Sequence, residues 1–486
     1  MSTKPNQYDD AEVLRSFVES VGEGDFLEAL RHGLIGEGVN IDGPVGVKPL
    51  VYADYVASGR AVAQIERFIL EEVLPFYSNS HSEASYCGAF MNRLRAEARR
   101  EIARIFNASD EYAVIFAGAG ATAGINRLAS LFLDGLRDGV ARPVVLLGPY
   151  EHHSNILPWR ESGVEVVELP EGASGGVDLA ALEHALSKYA REGRFVLCAL
   201  SAASNVTGII TDVEATTALI NRFGALSIWD YAGGGPYLPI DMRAGGGIDA
   251  IVLSPHKFVG GPGASGLLVV RKAAVRRRTP SLPGGGTVSF VSPWSHTYVD
   301  SLSAREEAGT PNVIGDIRAA LVVMIKEKLG QDFIQGRCSE LRDRAVAAWR
   351  REERLELIGP LDIPRLPIFS FRVRDGSGGY VHHQLVTRIL SDYYGVQARG
   401  GCACAGPYAH RLLNLTRERS DALFAAIKAG AELDKPGWVR LNLSYLIENS
   451  KADYIIESVA EVARRAAGLS SQYECDASTA RFQWKR

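Results

Sequence analysis

Seven short apolar runs recur between residues 113 and 270, at 113–116, 143–147, 164–169, 195–200, 226–229, 250–253 and 267–270. Each is too short for a buried helix, and several are rich in β-branched residues, so they read as buried strands. Helical patterns at 122–136, 179–191 and 214–223 lie between most of them. Parallel neighbours need a crossover connection, so this alternation restricts the chain to a mainly parallel seven-stranded sheet with helices on both faces, an α/β fold. The last two runs are joined mainly by residues 254–266, so the final strand is expected to run antiparallel. After Pro311 the pattern changes to helices at 316–329, 333–351, 380–394 and 452–467 with strands at 368–373 and 438–443, which implies a smaller α+β domain. The expected organisation is an N-terminal helical extension over 1–48, an α/β domain over 49–315, the α+β domain over 316–469, and an extended polar tail over 470–486.

Composition narrows the function classes. A net charge of −4 over 486 residues gives no sign of a nucleic-acid partner. The one basic cluster, Lys272 with Arg276, Arg277 and Arg278, lacks interleaved aromatics and reads as a solvated loop. No apolar run approaches the ~20 residues of a membrane span, and residues 1–10 carry no hydrophobic signal core, so no membrane association and a cytoplasmic location are expected. Six scattered cysteines suit reduced thiols better than a disulfide framework. Cys402 and Cys404 have no matching second pair, so no metal site is expected.

In a parallel sheet the ligand site lies beyond the C-terminal ends of the strands, and the unusual polar residues fall there. After the first run comes Gly118-Ala-Gly-Ala-Thr-Ala-Gly124, a loop whose backbone can approach an anion at a helix N-terminus. It also fits the dinucleotide pattern G-x-G-x-x-A, but the second run ends at Gly148 without a ribose-binding acid, and a phosphate monoester fits better. The second run leads into Tyr150-Glu-His-His-Ser-Asn155, where a histidine can stack on a planar cofactor or simply serve a helix start. Asp230 closes the fifth run, where it either faces a cation such as a protonated pyridine nitrogen or caps the next helix. Lys257 follows the sixth run in Ser254-Pro-His-Lys-Phe-Val-Gly-Gly-Pro-Gly263. Partial burial there would favour the neutral amine that attacks a carbonyl, as in a Schiff base to pyridoxal phosphate (PLP); a snorkelling lysine in a glycine-rich hairpin is the alternative.

Taken with Tyr52-Ala-Asp-Tyr-Val-Ala-Ser58, Ser204-Asn-Val-Thr-Gly208, Glu307-Ala-Gly-Thr-Pro-Asn312, Arg399-Gly-Gly-Cys-Ala-Cys-Ala405 and Val439-Arg-Leu-Asn-Leu-Ser-Tyr445, these stretches resemble the fold-type I, class V aminotransferase-like PLP enzymes. Within them the chain is most similar to the group II cysteine desulfurases and selenocysteine lyases, and the resemblance runs over 52–449. It implies that Lys257 carries the cofactor as an imine, that His152 stacks on its ring, that Asp230 pairs with the ring nitrogen and that Asn205 contacts the ring hydroxyl or substrate. Ala121, Thr122, Ser254 and His256 would hold the phosphate, joined by Thr310 from a neighbouring subunit of a homodimer. Arg440, with Arg399, would bind the carboxylate of an amino-acid substrate, and His81 would lie near the entrance. Cys404 falls at the place of the sulfur-accepting nucleophile, although a small apolar role in a Gly/Ala-rich loop remains open.

One departure bears on chemistry. Desulfurases of this resemblance carry Asp-x-Ala-Gln after the fifth strand, whereas this chain has Asp230-Tyr-Ala-Gly233. The expected function is sulfur removal from cysteine or a related amino acid, with a sulfur-acceptor protein as a further partner. A class V aminotransferase is the alternative. A non-catalytic PLP-binding protein and a nicotinamide oxidoreductase are the readings from other classes.

Overall fold

The computed structural model describes residues 12–22, 25–79, 83–136 and 142–485. The expectations for His81 and for residues 1–10 fall outside them. The seven apolar runs form one sheet: β1 (Tyr112–Gly118), β2 (Val144–Leu147), β3 (Glu165–Glu168), β4 (Val196–Ser201), β5 (Leu226–Asp230), β6 (Ala250–Leu253) and β7 (Gly266–Arg271). Their order is β1-β7-β6-β5-β4-β2-β3. β7 pairs antiparallel with both β1 and β6, while the pairs from β6 to β3 are parallel. Successive side chains leave a strand on opposite faces, and the two cores follow that alternation. Ala113, Ile115 and Ala117 face the helix Gly120–Leu133, together with Val145, Leu147, Val252 and Leu268. Val114, Phe116, Val144, Leu146, Trp229 and Leu253 face the other layer.

That second layer is dominated by the helix Val313–Leu329, buried on nearly every side, as expected for a helix apolar all round. It packs on the helix Tyr86–Ile105, and Arg95 on the latter donates to Asp316 at 2.6 Å. Glu307 accepts the Phe116 N–H at 2.8 Å and both terminal nitrogens of Arg99 at 2.9 Å, which caps the otherwise open edge of β1. The N-terminal extension folds as two helices, Val13–Ser20 and Phe26–Gly33, whose Leu14, Val18 and Leu30 join this same core. A hairpin, Asn40–Gly43 with Gly46–Pro49, follows.

The C-terminal part is an antiparallel sheet in the order Leu355–Leu357, Ile368–Arg374, Trp438–Asn442, Arg399–Gly401, backed by the helices His383–Tyr394 and Asn449–Leu469. Its core begins within the helix Gln331–Trp349: Ile334 and Cys338 belong to the sheet layer, whereas Leu341, Ala345 and Trp349 belong to the second core. Two expectations are corrected here. The helix expected from 380 starts at His383, because Tyr380–Val381 pairs with Val373 and Arg374 as a strand. The tail is not simply extended, because Tyr473–Asp476 and Arg481–Trp484 form a hairpin that packs Tyr473 on the second core. Among the described residues no helix is long and apolar enough to cross a membrane.

Candidate active site

The C-terminal ends of β1, β2, β4, β5 and β6 all open on one side of the sheet, and a cleft of about 670 Å³ lies there. Lys257, His152, Asp230, Asn205, Ala121, Thr122, Ser254, His256, Arg399, Arg440 and Cys404 all line it. Thr310 does not line it; it is exposed on its own chain. Arg399 and Arg440 reach the cleft from the C-terminal sheet and Val56 from the segment ahead of the main sheet, so residues as distant in sequence as Val56 and Arg440 meet at one place.

Lys257 closes the short 3-10 turn Pro255–Lys257 that follows β6. Burial depresses its amine to about 8, against the pull of nearby Asp230 toward the charged form. Asp230, buried at the end of β5, accepts the Ala232 N–H at 2.7 Å, and burial raises its pKa. His152 accepts the Ser154 N–H on Nδ1 at 3.1 Å, which leaves its proton on Nε2; burial and the adjacent Lys257 hold the ring neutral, with a pKa near 4. Beneath it the wholly buried Glu151 accepts from Ser201 N (2.8 Å) and Ser201 Oγ (2.7 Å), and from Asn155. Burial pushes Glu151 up to about 8, and Asp230 adds to the rise.

The anion end is built by close backbone approach. The Ala121 N–H donates to Ser254 Oγ at 3.0 Å, so that donor is already engaged and the Ser254 hydroxyl hydrogen is left for the cleft. Gly266 lies so near Gly120 that a Cβ there would stand 2.5 Å from the Gly120 carbonyl oxygen. Only glycine permits that contact. Thr122 Oγ1 meets Ser154 Oγ at 2.7 Å, which ties the first loop to the second.

At the other end Arg440 and Arg399 stand directly opposite one another on antiparallel strands, a pairing of like charges that is unfavourable by itself. Asp54 resolves it: Oδ1 accepts from Arg440 Nη2 and Oδ2 from Arg399 Nε, each at 3.1 Å. Arg440 also donates to Asn205 O at 3.2 Å, but its buried Nε has no partner. The buried Oδ1 of Asn205 is likewise unpartnered, while its Nδ2 donates to Ala403 O at 2.9 Å. Unsatisfied buried polar atoms are costly, and two at one cleft mark where a polar ligand would bind. Cys404 is exposed at the rim of the cleft, near Arg440. Both Ala403 and Cys404 sit at φ +54°, in the left-handed region that costs a non-glycine residue about 1–3 kcal/mol. Sequence reasoning gave no role to Asp54, Glu151 or His153, although all three stand in stretches it singled out.

The model of the family "Aminotransferase class-V" matches residues 51–427. A probable cysteine desulfurase of Halalkalibacterium halodurans is 28% identical over 371 residues, 76% of this chain and 87% of that protein. Another, from Vibrio cholerae, is 29% identical over 373 residues, covering 75% and 86%. Among solved structures, the apo cysteine desulfurase of Thermococcus onnurineus NA1 aligns with a TM-score of 0.70 and 22% identity over 85% of this chain and 95% of its own. The cysteine desulfurase CsdA of Escherichia coli, in its S-sulfonic acid form, gives 0.69 and 22% over 92% and 100%. At that identity the structural likeness speaks for the fold alone. With the family match spanning most of its length, the chain belongs to the class V aminotransferase family of PLP enzymes.

Proposed function

We propose that this chain removes sulfur from cysteine or a closely related amino acid, using PLP held on Lys257 and the thiol of Cys404. The observation that carries the reading is the meeting, in one cleft, of a half-buried lysine with a depressed pKa, a buried aspartate and an exposed cysteine beside Arg440. The residues fit the cofactor. Lys257 would hold its aldehyde carbon, Asp230 its ring nitrogen and His152 its ring face, with Ser254, His256 and Thr122 at the phosphate. The orphaned Asn205 Oδ1 offers an acceptor to the ring hydroxyl, and the orphaned Arg440 Nε a donor to the substrate carboxylate. Bound there, PLP supplies an electron sink for bonds at the amino acid's α- and β-carbons. The Lys257 amine, when free, would be the base that moves the α-proton. The Cys404 thiolate attacks the substrate sulfur; an S–S bond forms as the C–S bond breaks, and the carbon side, on taking a proton, leaves as alanine. The test is incubation with cysteine: alanine and a Cys404 persulfide are expected, both lost in Cys404→Ala with the cofactor still bound. Unchanged turnover in that variant would remove Cys404 from the reaction.

Gly233, where desulfurases carry glutamine, favours a second reading as an aminotransferase, since it leaves one side chain fewer near Asn205 to tune the ring. That activity would yield a keto acid and accumulate the pyridoxamine form of the cofactor. The homodimer reading is supported by Thr310, exposed on its own chain and away from its own cleft, and by an apolar hairpin nearby whose Trp294 is 90% exposed. The rim position of Cys404 suits hand-over to an acceptor protein, and six unpaired cysteines suit a reducing, cytoplasmic setting.

A further inference from the structure

Cys404 does not sit on a relaxed loop. Residues 402–405 form a tight turn closed by the Ala405 N–H on Cys402 O at 3.2 Å, with both central residues left-handed at φ +54°. That is the pattern of a type I′ turn, which normally takes glycine or asparagine, yet here the centre is Ala403-Cys404. Such a turn persists only where its surroundings hold it. His153 does so twice. Its backbone N–H donates to Cys404 O at 2.9 Å, and its ring Nε2 accepts the Gly406 N–H at 2.9 Å, at the start of the helix Gly406–Leu412. The second bond needs a lone pair on Nε2, hence a neutral ring protonated on Nδ1. Burial and the nearby Arg160 keep the ring neutral.

We propose that His153 is a positioning residue for the sulfur-accepting thiol: its ring, by accepting the Gly406 N–H, holds the turn 402–405 left-handed so that Cys404 faces the cleft. The inference rests on the reading of Cys404 as acceptor, and the two can fail separately. The experiment uses PLP-loaded protein carrying His153→Leu, His153→Lys or His153→Gln. Leucine and lysine have no acceptor, whereas the glutamine carbonyl has one. Alanine formation from cysteine should fall about tenfold or more in the first two and return to within about threefold in His153→Gln, with KM and the cysteine-induced change in cofactor absorbance held within about twofold. In parallel, the rate of Cys404 alkylation by iodoacetamide, read by peptide mass spectrometry, should change in the same two variants and be restored by glutamine. That rate does not depend on turnover, so it judges the positioning role even if one variant is poorly soluble or Cys404→Ala stays active. Unaltered alkylation in both non-accepting variants, failure of glutamine to rescue, or an equal loss in KM and cofactor spectrum would overturn the proposal.

Discussion

Burial leaves Lys257 with an amine that titrates near 8 instead of at the 10.5 of an ordinary lysine. The neutral amine is the nucleophile, so in cofactor-free protein the rate of imine formation with PLP should rise as pH passes through about 8 and level off above it. The same aldehyde with Nα-acetyl-lysine should still be gaining rate at pH 9. Stopped-flow absorbance separates the two, and a protein rate that keeps climbing with the free amine would deny the depressed pKa. Asp54 is the other residue whose environment sets its function. Asp54→Asn would leave Arg440 and Arg399 facing each other across the strands without their shared counter-charge. Breaking a buried pair costs about 3 kcal/mol or more, so a fall in thermal midpoint and a raised KM for the amino acid are expected together. A stable variant with unchanged KM would mean the arginines do not need it. Lys257, Asp230 and His152 were legible because each ends or follows an apolar run. Asp54 was not, since Arg440 lies 386 residues further along and no local pattern links them.

Elements were legible where hydrophobic periodicity was strong and obscure where side-chain hydrogen bonds did the work. All seven strands of the main sheet, including the reversed β7, fall where the apolar runs predict; six are nearly continuous apolar segments because both their faces are covered, while the edge strand β3, Glu165–Glu168, is only partly buried. The C-terminal hairpin had no such signal. Its turn contains no Asn-Gly pair; the Asp476 carboxylate accepts from Ser478 N at 2.9 Å and Thr479 Oγ1 at 2.9 Å, and Ala480 takes φ +52°. What fixes the hairpin is Tyr473, buried against the ring of Trp484 at 5.2 Å and donating to Asp392 Oδ2 at 3.1 Å. Tyr473→Ala removes that anchor and should destabilise the C-terminal part by about 3 kcal/mol. Guanidinium unfolding followed by tryptophan fluorescence measures it, and a loss below about 1 kcal/mol would mean the tail only lies on the surface.

At the scale of the whole molecule, one chain presents surface that water alone does not explain. The hairpin Val288–Val291 with His296–Tyr298 exposes Phe290 (57%), Val291 (63%) and Trp294 (90%), side chains that a monomer rarely leaves together in water. Its base is tied to the loop carrying Thr310, because the Gly309 N–H donates to Gly285 O at 2.8 Å. A second subunit that covered the hairpin would therefore also receive the Thr310 loop, and the cofactor phosphate of one chain would be held partly by the other. The two effects should move together. For the homodimer proposed above, Phe290→Ser with Trp294→Ser should shift the mass measured by light scattering from two chains toward one at micromolar concentration, and should lower PLP retention on dialysis although no residue lining the chain's own cleft has changed. Thr310→Val, by contrast, should weaken PLP retention and leave the two-chain mass intact. A hairpin variant that remained two chains with full cofactor would show that this apolar face serves something other than self-association.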